Sequence, residues 1–151
     1  MYNWYECKVR YDKTLDTGLI KAVTETYMLD ALSFTEAEAR IIEEMKPYIS
    51  GTFTVSNIKK VKFSDTFFDP NGDRYYRAKL HYITLDEKSG AEKKTAVNVL
   101  VQASELKEAV ETIETEMKKT MIDYAISAVT ETPIMDVFFY DGNKTNNNGE
   151  E

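Results

Sequence analysis

Trp4, Lys8 and Arg10 on one short stretch, and Tyr75, Arg77, Lys79 and His81 on another, are the residues whose types and spacing best suit a ligand. Both stretches alternate, so the chemistry-bearing residues of each share one strand face. In the first, Tyr5, Cys7, Val9 and Tyr11 take the other face. Aromatic rings beside cations on a sheet suit nucleotides or single-stranded nucleic acid, through base stacking and phosphate contact. Lys59, Lys60 and Lys62 would extend the patch. Their counterparts further along, Thr130, Glu131 and Pro133, are not basic, and Glu6 interrupts the first stretch. A solvated strand face whose charges discourage edge-to-edge aggregation is the plainer reading.

Asp65 and Asp136 each stand before a phenylalanine pair, in Asp65-Thr66-Phe67-Phe68 and Asp136-Val137-Phe138-Phe139. Two carboxylates brought together can share a proton or hold a metal, which would make a metal-dependent enzyme the third functional reading. The competing expectation is structural, with each Asp capping a turn while the phenylalanines anchor a core. Cys7 and His81 are the lone cysteine and histidine. The alternation points Cys7 inward and His81 outward, so they form no nucleophile–base pair, and zinc would lack ligands. Asp69, Asn71 and Asp73 imitate a calcium loop, but Arg74 stands where glycine is required and Leu80 where glutamate is. No phosphate-binding glycine loop, nucleophile elbow or zinc-protease motif is present. The expectation is therefore no cofactor and no catalysis.

The elements that must position these residues occur twice. Trp4–Tyr11 reads as a strand, a turn at Gly18 follows, and Val23–Ala31 returns with Val23, Glu25, Tyr27, Leu29 and Ala31 in phase. Ser33-Phe34-Thr35-Glu36 has capping-box form and opens a helix with Phe34, Ala37, Ile41, Ile42 and Met45 on one stripe. Pro47 stops it. Phe53–Phe63 reads as a third strand with a bulge near Asn57-Ile58. After the turn at Asp69–Asp73 the pattern restarts with Tyr75–Tyr82, and Gly90 falls opposite Gly18. In the two helical segments Ala31 matches Ala103, Ala37 matches Ala109, Ile41 matches Ile113 and Met45 matches Met117, each 72 positions apart. Leu106, Ala109, Val110, Ile113 and Met117 make the second apolar stripe.

The expected fold is α+β, from tandem duplicated ββαβ units with a short fourth strand at each Asp-x-Phe-Phe. A pseudo-twofold axis would relate them in one antiparallel sheet with two helices packed on it. Residues 1–140 would form a single pseudo-dimeric domain, with repeats at about 3–68 and 74–140 and a turn linker at 69–73. Residues 141–151 are Asn, Gly and Glu with little to bury, and are expected to be a disordered tail.

Bulk properties narrow the partners. The 151 residues are 42% hydrophobic, enough for a packed interior, and carry a net charge of −7. Such a balance disfavours a general duplex-DNA or anionic-membrane binder, which needs excess Lys and Arg. One cysteine permits no internal disulfide, no apolar run spans a membrane and no signal peptide is evident, so a cytoplasmic setting is expected.

Trp4-Tyr5-Glu6-Cys7-Lys8-Val9, Asp30–Ala39 and Ile134-Met135-Asp136-Val137-Phe138 resemble a family of small proteins of unknown function. Its members occur in gut anaerobic bacteria and their phages or mobile elements. The resemblance covers nearly the whole chain except the tail and implies a setting rather than an activity. With the acidic helix faces (Glu36, Glu38, Glu43 and Glu44; Glu108, Glu111, Glu114 and Glu116), the first expectation is a non-catalytic protein–protein interaction module. Nucleotide or single-stranded nucleic-acid binding is the alternative.

Overall fold

Alternation, glycine turns and two capped amphipathic segments produce the elements in a computed structural model that describes residues 2–140. They run β1 (Asn3–Thr14), β2 (Ile20–Ala31), α1 (Phe34–Met45), β3 (Phe53–Val61), β4 (Asp65–Phe67), β5 (Arg74–Leu85), β6 (Glu92–Ala103), α2 (Leu106–Lys118), β7 (Asp123–Glu131) and β8 (Ile134–Phe138). Gly18 and Gly90 adopt φ of 90° and 75°, closing the β1–β2 and β5–β6 hairpins at angles other residues resist. The expected tail, 141–151, lies outside the described residues. Among those described, no helix is long and apolar enough to cross a membrane.

The strands form two four-stranded sheets, ordered β3-β1-β2-β8 and β4-β6-β5-β7. This differs from the single antiparallel sheet expected from the sequence. Both sheets are mixed, because β8 lies parallel to β2 and β4 lies parallel to β6. Connector length explains the arrangement. Only Lys62, Phe63 and Ser64 separate β3 from β4, and only Thr132 and Pro133 separate β7 from β8. Reaching the free edge of its own hairpin would carry β4 about three strand spacings, or roughly 14 Å, around packed strands. Three residues extend at most about 11 Å. Each short strand therefore completes the other sheet.

Two compact units follow from this exchange, one spanning Met1–Lys62 with Pro133–Glu151 and the other spanning Phe63–Thr132. In the first, Ala37, Ile41 and Met45 of α1 are buried against Tyr5, Cys7, Val9, Leu29 and Ala31. In the second, Ala109, Ile113 and Met117 of α2 are buried against Tyr76, Ala78, Leu80, Val99 and Val101. Full burial of an aliphatic side chain contributes about 1.5–3 kcal/mol, so each helix is held chiefly by this stripe. Phe34 and Leu106, expected in the stripes, are 52% and 50% exposed. Each occupies the first helical position, ahead of the turn that faces the sheet.

Capping follows the sequence with one change. Glu36 N donates to Ser33 Oγ at 3.1 Å, while the Glu36 carboxylate accepts from Leu32 N at 2.5 Å, one residue before the expected donor. Glu108 accepts from Ser104 N in the same way at 2.5 Å. The bulge expected near Asn57 falls at Ser56, skipped between the pairs Lys8–Asn57 and Val9–Val55. Ser127 is skipped likewise between Lys79–Ala128 and Leu80–Ile126.

Where each sheet receives its parallel strand, a side chain from the neighbouring strand ties down the chain beyond it. Tyr140 N donates to Asp30 Oδ1 at 2.7 Å, and Arg40 from α1 bonds the Asp30 carbonyl while its guanidinium lies 5.4 Å from the Tyr140 ring centre. In the second unit, Asp69 N donates to Gln102 Oε1 at 3.0 Å, and Gln102 Nε2 donates to Gly72 O at 2.9 Å. The Asp69–Gly72 turn packs so closely that a Cβ on Gly72 would stand 2.6 Å from Ala103 Cα. Gly72→Ala is expected to lower stability by about 1–3 kcal/mol through this overpacking. Gly51→Ala, where a Cβ meets nothing within 4 Å, should be neutral or slightly stabilising. Urea midpoints for the two variants check this, and equal midpoints would refute the close approach.

Candidate functional site

The β1 alternation places Trp4, Glu6, Lys8 and Arg10 on the sheet face away from α1. Lys8 and Arg10 are exposed. Trp4 is half-buried and meets the Phe139 ring edge-on at 5.9 Å. Lys59 pairs with Glu6 and shares this face, whereas Lys60 pairs with Tyr5 and falls on the helix side. Lys62 lies exposed just beyond the strand. In the other unit, Tyr75, Arg77, Lys79 and His81 occupy the β5 face away from α2. Arg77 and Lys79 are exposed and His81 is half-buried, but Tyr75 is only 5% exposed. The cations that would contact phosphate are thus available in each unit. The rings that would stack on bases are largely engaged in packing.

Asp65 and Asp136 fall in different units, at the second and first sheets respectively. Each carboxylate accepts from the next backbone N–H, Thr66 at 2.9 Å and Val137 at 2.8 Å. Both are at edge strands, where a side chain can satisfy a donor the ladder does not use. Among the described residues no cluster of three or more His, Cys, Asp or Glu side chains could hold a metal ion. Asp69 closes a local turn, its Oδ1 accepting from Asn71 N at 3.0 Å. Cys7 is wholly buried, and burial pushes its thiol up to about 12. A thiol so placed stays protonated and is a poor nucleophile.

A different site emerges within the first unit. Register brings Asp136 opposite Tyr27 and Phe138 opposite Leu29, both toward α1, while Met135 is the bulged residue between Thr26–Ile134 and Tyr27–Asp136. Glu25 precedes Tyr27 by two on β2 and so faces the same way. Past the end of α1, Tyr48 N and Ile49 N both donate to Met45 O at 3.0 Å, curling the chain back over the sheet. These segments border an open cavity of about 230 Å³ lined by Tyr11, Glu25, Tyr27, Met45, Tyr48, Ile49, Met135, Asp136 and Phe138, of which Tyr48, Met135 and Asp136 are exposed. Tyr27 stacks on Phe138 at 5.7 Å and donates its hydroxyl to Glu25 Oε1 at 2.9 Å. Burial, reinforced by Glu25, holds the Tyr27 phenol well above its ordinary value, and Tyr11 is raised by the same causes. Among the described residues, none of the lining side chains is basic.

The second sheet keeps only part of this set, with Asp65 opposite Val99 as Asp136 is opposite Tyr27 and Phe67 opposite Val101 as Phe138 is opposite Leu29, and lacks the counterparts of Glu25 and Tyr27. Val97 stands one residue past its bulge where Glu25 stands past the other, and Val99 where Tyr27 stands. The sequence did show one sign of the pocket, a glutamate in the inward phase of an otherwise apolar strand. The other half of the signal, Asp136, becomes its neighbour only through the long-range pairing of β8.

Two mixed sheets, each with a helix on one face, define a small α+β protein whose notable surfaces, among the described residues, include charged strand faces and an aromatic, acidic cavity in the first unit. The chain belongs to the DUF4494 family, described as a domain of unknown function, whose model matches residues 3–140. That span takes in every strand and helix from β1 to β8. No curated protein matches the sequence.

Burial of Cys7 makes a direct test of the first unit's core. Below about pH 9 the thiol is protonated in folded and unfolded chains alike; above it the unfolded thiol ionises first. The stability this group contributes is therefore lost as pH rises from about 9 toward 12. Thiol labelling at pH 9 is expected to proceed only at the rate of opening and to become immediate in denaturant. Immediate labelling of the folded protein would contradict the buried placement.

Proposed function

We propose that the protein is a non-catalytic, cytoplasmic binding module of a phage or mobile-element type, and that its partner is a protein with a basic surface. The supporting observation is the distribution of carboxylate on the helices. Glu38 and Glu43 of α1, and Glu111 and Glu114 of α2, are exposed on the sides away from the buried stripes. Lys46 bonds Glu43 at 2.9 Å and Lys119 bonds Glu116 at 3.1 Å, but both ion pairs lie at helix ends and are solvent-exposed. With a net charge of −7, such ridges steer a basic partner inward and repel acidic ones. The reading includes descent of both sheets from one ββαβ unit, supported by their matching strand orders and their bulges at Ser56 and Ser127.

Nucleotide or single-stranded nucleic-acid binding is the second reading, favoured by the exposure of Lys8, Arg10, Arg77 and Lys79 on strand faces. The engagement of Trp4 and the burial of Tyr75 weaken its stacking component.

The triple variant Glu38→Lys, Glu111→Lys, Glu114→Lys is expected to fold normally by circular dichroism. Association with a partner recovered from host lysate should slow at least about tenfold at low salt, and high salt should erase the difference. An undiminished rate would refute the acidic-ridge reading. Anisotropy with a labelled oligothymidine separates the two readings. Saturable binding that disappears in Arg10→Glu with Lys79→Glu would favour the nucleic-acid reading, and no binding by the wild type would exclude it.

A further inference from the structure

We infer that the cavity between α1, β2 and β8 is a binding site for an organic cation, an ammonium or guanidinium group carried on an apolar stem. Its charge comes chiefly from Glu25, which lines one small open cavity together with Asp136; among the described residues none of the lining side chains is basic. The C-terminal end of α1 opens on the same space and adds partial negative charge; the C-cap Lys46 is exposed and engaged with Glu43 at 2.9 Å. Tyr11, Tyr27 and Tyr48 supply aromatic surface whose faces attract cations; Tyr11 and Tyr27 are half-buried, while Tyr48 is 73% exposed. Met45 and Ile49 give apolar contact to a stem.

The fold itself does not require Glu25 or Tyr27. The second sheet has Val97 and Val99 in their places, which carry no desolvation penalty, although Asp65 stands opposite Val99 as Asp136 stands opposite Tyr27. Glu25 is half-buried on the helix side of β2, so part of its hydration is lost. The Tyr27 hydroxyl compensates part and fixes the Glu25 carboxylate in place. A hard metal ion is a poor fit, because calcium or magnesium takes six or more oxygen ligands and these walls are mostly aromatic and aliphatic. At about 230 Å³ the cavity is below the ~300–1,000 Å³ of drug-sized sites. It suits one lysine or arginine side chain, or a free amine of similar size. The inference does not depend on the helix-ridge reading above, since none of the ridge carboxylates lines this cavity.

The test is an amide NMR titration of the full chain with agmatine, cadaverine, N-acetyl-arginine amide, N-acetyl-lysine amide, glutarate and calcium chloride. Saturable shifts confined to β2, β8 and the segment after α1 are expected with the organic cations, and none with glutarate. Glu25→Gln retains an acceptor for Tyr27 and should weaken binding at least tenfold. Asp136→Asn should do the same, while Glu92→Gln, which removes equal charge in the other unit, should leave affinity unchanged. Binding by the acetylated amides identifies a protein side chain as the source, and binding by agmatine or cadaverine alone identifies a free amine. The inference is overturned if no organic cation binds, if calcium alone produces the shifts, or if both site variants bind like wild type.

Discussion

β2 and β6 would each present an open edge unless a parallel strand reached them, and the strands that do so come from beyond their own hairpins. β8 brings Phe138 opposite Leu29, and β4 brings Phe67 opposite Val101, inserting an aromatic ring beside each helix-facing core. Short connectors after β3 and β7 leave no other geometry, because so few residues cannot circle back across their own sheet. The bulge at Met135 then decides which β8 residues face α1. It turns Asp136 and Phe138 toward the helix while Ile134 and Val137 are buried on the other side. The aromatic and acidic cavity described in the first unit takes its Asp136 and Phe138 walls from the stretch that follows this extra residue.

Each parallel edge raises the same difficulty, since the chain leaving a short strand has a backbone donor that the ladder no longer serves. The two units answer it with different side chains. Asp30 receives the Tyr140 donor and is itself held by Arg40, so charge on α1 helps to fix the end of the chain segment. Gln102 receives the Asp69 donor and returns a hydrogen bond to Gly72, an arrangement with no net charge. The charged version also recruits Tyr140 against Arg40 and Tyr2 against Tyr140, at 5.4 and 4.7 Å, extending the first unit's packing past its last strand. The neutral version relies on close approach of the Gly72 backbone to Ala103.

Local features were legible in the sequence because they depend on neighbouring residues. Alternation put Tyr5, Cys7 and Val9 inside, Gly18 and Gly90 marked the hairpins, and Ser33 with Glu36 marked a helix start. The strand bulge was legible to within two residues as a break in phase at β3. What escaped depends on distant partners. Asp65-Thr66-Phe67 looks the same whether it joins the sheet before it or the one after it, and only connector length distinguishes the two. Trp4 and Tyr75 looked available because alternation gives a face but not what covers it. Glu25 was read in the inward phase, yet its meaning needed Asp136, delivered from near the far end of the described chain.

The exchange of β4 and β8 also gives the two units different histories during synthesis. Everything in the second unit is contiguous, from Phe63 to Thr132, so its sheet can close as soon as that stretch has left the ribosome. The first unit begins earlier but cannot finish, because the edge of β2 stays open until Ile134–Phe138 has been translated. The segment from β1 to β3 thus waits, with the place of Phe138 empty beside Leu29, while the later segment folds. Of the two units, the one begun earlier is the one completed later.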